Sequence, residues 1–108
     1  MARNEGPEQE PTRDEIDRST GPLLLEFGAS WCGHCRALAP VLAAVLEDFP
    51  EVRHLKVEDG PGQPLGRSFR VKLWPTLVFL RDGRVVALAV RPQPGEVRKG
   101  LEAITSIP

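Results

Sequence analysis

The sequence predicts an α/β domain in which a central mixed β-sheet is flanked by helices on both faces. Three observations lead there. Apolar runs of strand length alternate with helical periods, in the order helix, strand, helix, strand, short helix, strand, strand, helix. The strand–helix–strand unit implies a parallel pair, since strands joined through a helix run the same way. Asp82-Gly83 between two apolar runs implies an antiparallel hairpin. A sheet with both kinds of pairing and apolar residues on both faces needs a helical layer on each side.

Each element has its own signal. Residues 1–11 lack any apolar period and read as a flexible tail before a domain spanning 12–108. Thr12-Arg13-Asp14-Glu15 has the form of a capping box, opening a short helix that runs to about Ser19 and stops at Gly21-Pro22. Leu23-Leu24-Leu25-Glu26-Phe27 is an apolar run broken by one acid, a strand buried on both faces. A helix follows from near Cys32, with Leu38, Val41, Leu42, Val45, Leu46 and Phe49 on one face and an end at Pro50. Pro40 lies within it and is expected to remove one backbone hydrogen bond and kink it. Val52 to Glu58 forms the second strand. Gly60, Pro61, Gly62 and Pro64 mark a loop, with at most a short helix around Leu65 to Phe69. Thr76 to Leu80 and Arg84 to Val90 are the hairpin strands. Pro94-Gly95-Glu96 opens a last helix with Val97, Leu101 and Ile104 on one side.

Length and composition fit this architecture and exclude several functions. A chain of 108 residues, 41% hydrophobic and 27% charged, suits one globular domain, expected to be a monomer. The net charge of −1 offers no basic excess for a phosphate backbone, and the few aromatics are not interleaved with a basic run, so no nucleic-acid partner is expected. No apolar run approaches the roughly 20 residues of a membrane helix, so no membrane partner is expected. The polar, acidic start of the chain has no apolar core of an export signal, which leads to the expectation of a cytoplasmic protein.

The chemistry centres on the two cysteines, Cys32 and Cys35. Two are few for a disulfide scaffold, and their spacing points to redox chemistry or metal binding. Cys32 falls where a buried strand turns into a helix, and the free N–H groups and partial positive charge of a helix start favour thiolate over thiol. Cys35, one turn in, comes within bonding range. Cys32 is therefore read as the exposed attacking thiol and Cys35 as the more buried one, which resolves a mixed disulfide and leaves a Cys32–Cys35 disulfide. His34, if protonated, stabilises the Cys32 thiolate; the alternative is a surface histidine without a role. Glu26 is costly to ionise inside an apolar strand, and behind Cys35 it can take that thiol's proton. The alternatives for Glu26 are a structural hydrogen bond or a register that turns it to solvent. In Trp74-Pro75-Thr76 the proline lacks a ladder donor and belongs at a strand start or edge, where a trans loop proline is the simpler reading. Cys32, His34, Cys35 and His54 could supply zinc ligands, but three are crowded together and His54 is distant. No metal and no cofactor is expected, and His54 is read as a packed or surface histidine.

Phe27-Gly28-Ala29-Ser30-Trp31-Cys32-Gly33-His34-Cys35, then Pro40, then Trp74-Pro75-Thr76, resemble the thioredoxin family over roughly residues 12 to 108. The resemblance implies the thioredoxin fold, with Cys32 as nucleophile and Cys35 as resolving thiol. It puts Glu26 at the position of the family's buried acid, usually aspartate, and Pro75 at its cis-proline. It puts Trp31, Gly33 and the backbone of Trp74 in the partner-docking groove. It implies protein thiols and disulfides as substrates and a reductase that recycles the disulfide. Three departures stand out. Gly33-His34 is the dipeptide of protein disulfide isomerase domains rather than the Gly-Pro of ordinary thioredoxins. Trp74 is bulkier than the residue usual before the cis-proline. Ala89-Val90-Arg91-Pro92 lacks the small glycine that usually opens the groove. The expected function is a thiol–disulfide oxidoreductase, first a cytosolic reductase, with a disulfide oxidase or isomerase, or a binding module using the same groove, as alternatives.

Overall fold

The structure of the protein, a computed structural model, describes residues 10–106. Most of the expected N-terminal tail, residues 1–9, lies outside the described residues. The elements are α1 (Arg13–Asp17), β1 (Pro22–Gly28), α2 (Gly33–Leu46), β2 (Arg53–Glu58), α3 (Pro64–Ser68), β3 (Thr76–Arg81), β4 (Arg84–Val90) and α4 (Pro94–Thr105). The four-stranded sheet has the order β2-β1-β3-β4. β1 pairs parallel with β2 and antiparallel with β3, and β3 pairs antiparallel with β4, which is the mixed sheet that the element order predicts.

Side chains alternate across β1, so one strand serves two cores. Leu24, Leu77, Phe79 and Ala89 face Leu38 and Leu42 of α2 and Val97, Leu101 and Ile104 of α4. Leu23, Leu25 and Phe27, with Val78 and Leu80, face Ile16 of α1 and Leu65 of α3. By the same alternation Glu26 and Gly28 lie on the α2 side. α4 packs closely on β3 because residue 100 is glycine: a Cβ there would fall 2.4 Å from the Phe79 ring.

The local devices behave as their chemistry dictates. Thr12 accepts from the Glu15 N–H and the Glu15 carboxylate accepts from the Thr12 N–H, the reciprocal capping box. Asp82 and Gly83 both have positive φ, 52° and 79°, as a two-residue hairpin turn of the twist-compatible type requires.

Some boundaries move. α1 stops at Asp17 rather than near Ser19. α2 ends at Leu46 rather than running to Pro50; tight turns follow, with Asp48 N–H donating to Val45 O and Phe49 N–H to Leu46 O. Phe49 still reaches the core from that turn. Helical spacing in the sequence therefore reports burial of Phe49, while the chain there already unwinds toward Pro50. α2 continues as one helix through Pro40. Its first turns hold their place on buried Leu38 and Leu42, so loss of one donor does not end it.

Candidate active site

β1 delivers the chain to the site and α2 carries it away. Gly28 ends β1 and Cys32 is the N-cap residue of α2, with extended backbone (φ −83°, ψ 122°). The Cys35 N–H donates to Cys32 Sγ at 3.3 Å, so the first cysteine's sulfur occupies the place where an N-cap oxygen usually accepts. The turn is closed by Cys32 N–H donating to Ala29 O at 3.0 Å. Both cysteines are free thiols here, with the Cys35 N–H within hydrogen-bond reach of the Cys32 sulfur.

As whole residues both cysteines are buried, 7% exposed for Cys32 and 6% for Cys35, so Cys32 is less open than expected, while burial weighs most on the Cys35 thiol. Ala29 and Trp74 pack against both, a cover that the linear motif does not reveal. The asymmetry lies in their acidity. The Cys32 thiol is held below the ordinary value of 9.0, first by its hydrogen bond with Cys35, then by backbone N–H groups and the charge of Arg91. The Cys35 thiol is pushed up to about 11, first by burial, then by the bond to Cys32 and by the charges of Cys32 and Glu26.

Gly28 makes room for this pair: a Cβ there would fall 2.7 Å from Cys35 Sγ. In the sequence Gly28 bounds the strand and stands in the motif that carries the resemblance, but its closeness to Cys35 Sγ is not legible there. Two strand positions earlier on the same face, Glu26 is 3% exposed. Its Oε1 lies 2.8 Å from Nε2 of His54, whose side chain remains 32% exposed. The sequence reading of His54 as a packed or surface residue missed this partner, because β2 and β1 become neighbours only through the crossover of α2. The same pairing places His54 on a carboxylate.

The Trp74–Pro75 peptide is cis, the isomer that the family resemblance implies rather than the simpler trans reading. Trp31 is 69% exposed and meets Trp74 edge to face, ring centres 5.3 Å apart. Trp74 Nε1–H donates to Asp59 Oδ2 at 2.8 Å. Asp59 is a second residue missed from sequence; its only signal is its place just after a strand that ends beside β1. Gly33 and His34 form the exposed first turn of α2. Arg91, after β4, closes the other side: its N–H donates to Pro75 O at 2.9 Å and its Nε–H to Trp74 O at 2.8 Å. The missing glycine at this position is visible in the sequence, but not what the arginine bonds to.

A capped sulfur at a helix start, a second thiol one turn in, a buried acid behind it and a cis-proline beside it define the class: a dithiol exchange site on a thioredoxin-type fold. The thioredoxin domain profile matches residues 8–103. The fold superposes on thioredoxin 2 from Pseudomonas aeruginosa PAO1 in its reduced form with a TM-score of 0.77 and 62% identity, covering 88% of this chain and 89% of that one. Thioredoxin Asp f 28 of Aspergillus fumigatus is 35% identical, with 82% of this chain and 81% of that protein covered. Protein disulfide-isomerase A2 of Pongo abelii is 42% identical over 71% of this chain, which spans 19% of that longer protein. The chain belongs to the thioredoxin family and is a thiol–disulfide oxidoreductase.

Proposed function

We propose that the protein reduces protein disulfides in the reducing cytoplasm and is itself recycled by a reductase. The observation that carries this reading is the opposed acidity of two thiols within one helical turn. The Cys32 thiolate attacks one sulfur of a substrate disulfide; a mixed disulfide forms and the first substrate thiolate leaves. Cys35 then loses its proton and attacks Cys32 Sγ, which forms the Cys32–Cys35 disulfide and expels the second substrate thiolate. Two electrons pass from the dithiol to the substrate.

Cys35 holds its proton until resolution, so the second step needs an acceptor. Glu26, on the same sheet face and electrostatically felt by Cys35, fills that role. Its bond to half-exposed His54 offers the proton a way to solvent. His34 tunes the Cys32 thiolate when protonated. Trp31, Gly33, Trp74 and Pro75 form the surface on which the substrate polypeptide docks.

A disulfide oxidase or isomerase is the second reading. It is favoured by the charge of Arg91 and the backbone N–H of His34 at Cys32, because groups that stabilise the thiolate stabilise the reduced form and strengthen the disulfide as an oxidant. A redox titration of Cys32/Cys35 separates the two. Thioredoxin-like reduction corresponds to about −270 mV and isomerase-like exchange to about −180 mV, a gap of about 4 kcal/mol for two electrons. A value near the first supports the reductase, and one near the second replaces it with the isomerase.

A further inference from the structure

We infer that Arg91, facing His34 across a cleft beside Cys32, selects substrates that carry a carboxylate side chain next to the reacting cysteine. This rests on the thiol–disulfide exchange proposed above and assigns its substrate class.

Arg91 sits at φ 48°, a left-handed conformation in which an L side chain is crowded and glycine is the usual occupant. Such strain persists where the surroundings over-determine it, and it gathers at ligand-contacting positions. Here the surroundings are two hydrogen bonds. The Arg91 N–H donates to Pro75 O and its Nε–H to Trp74 O, consecutive carbonyls of the segment that flanks Cys32. They anchor the base of the guanidinium and leave its outer nitrogens, Nη1 and Nη2, in no ion pair among the described residues. The side chain is exposed.

Next to it lies a cleft of about 170 Å³ lined by His34, Ala37, Leu38, Pro75, Arg91 and Pro92. Its lining joins the apolar side chains of Ala37, Leu38, Pro75 and Pro92 to two ionisable groups, both bases, and no carboxylate lines it. On the Trp74 side the signs are mixed: Glu58 accepts from the Ser30 N–H and Asp59 from Trp74, while Arg67 and Lys72 line the same hollow as Asp59. The His34 and Arg91 side thus carries bases without a carboxylate, and a polypeptide crossing the site meets that charge there. An aspartate or glutamate fits the cleft chemically, its carboxylate on the planar guanidinium and its methylenes on Leu38 and Pro75. A lysine there would meet two bases.

The test uses three synthetic peptide disulfides identical except for Glu, Gln or Lys beside the reacting cysteine, assayed for reduction at pH 7 and low salt. The wild-type protein is expected to favour the Glu over the Lys peptide by roughly tenfold in kcat/KM, from attraction and repulsion of a few-fold each, and to lose part of that ratio in high salt. In Arg91→Gly, which suits the positive φ, the ratio should fall below about threefold. Arg91→Lys, which keeps the charge, should retain an intermediate ratio. Equal rates on the Glu and Lys peptides, or a ratio that survives Arg91→Gly, overturn the selection by Arg91 and leave the oxidoreductase reading standing. Failure of the wild-type protein to reduce even the Gln peptide overturns that reading, and the inference with it.

Discussion

Cys32 and Cys35 stand three residues apart, are both buried as residues, and differ in the direction in which their surroundings move their protons. The helix start and the Cys35 N–H favour negative charge on Cys32, whereas burial and the neighbouring charges oppose it on Cys35. Limited alkylation at neutral pH, followed by peptide mapping, should therefore label Cys32 first and faster than a free thiol. Cys35 should stay unlabelled until the pH approaches 11. Equal labelling of the two would remove the basis of the mechanism. Glu26→Gln keeps the shape and removes the proton acceptor, so stopped-flow kinetics should show resolution by Cys35 slowed by about 10²-fold or more, with attack by Cys32 nearly unchanged. Equal slowing of both steps would assign Glu26 a structural role only.

Among the elements, β1 does the most: one strand faces two cores and ends on the glycine that admits Cys35 Sγ. The opposite layer depends on α4 lying close to β3. Gly100→Ala would drive a methyl group into the buried Phe79 ring, which has packed neighbours and little room to withdraw. Overpacking of this kind costs about 1–3 kcal/mol, read as a lower urea midpoint with an unchanged slope. The helical register of α4 and the packing partner of residue 100 come from different sources. Val97, Leu101 and Ile104 can be read as a face in the sequence, while the closeness of Phe79 exists only after the sheet is assembled. The boundary of α2 shows the same division: periodicity identifies Phe49 as buried but does not say that it arrives from a turn.

For the molecule as a whole, the two thiols make stability depend on redox state and pH with opposite signs. Cys32 is more acidic folded than unfolded, so as pH rises toward 9 the unfolded chain holds a proton that the folded one has lost, and stability rises. Cys35 is less acidic folded, so between pH 9 and 11 the folded protein holds a proton that the unfolded one has lost, and stability falls. The reduced protein minus the oxidised one, compared by denaturant titration at each pH, should thus pass through a maximum near pH 9. A difference independent of pH would contradict both shifts.

The fold class, the capping box of α1, the hairpin turn at Asp82-Gly83 and the pair Cys32/Cys35 were determined by the sequence alone, since each depends on residues close together in the chain. Glu26 was legible as an anomaly, one acid in an apolar strand, but not its partner. Tertiary structure decided that His54 meets Glu26, that Asp59 holds Trp74, and that Arg91 reaches back to Pro75 and Trp74. It also decided that Cys32, like Cys35, is buried as a residue. These contacts join residues 15 to 28 positions apart in the chain, brought together by the crossover of α2, the segment before β3 and the return of β4. Local chemistry is written in neighbouring residues, whereas a site's partners depend on which strands come to lie side by side.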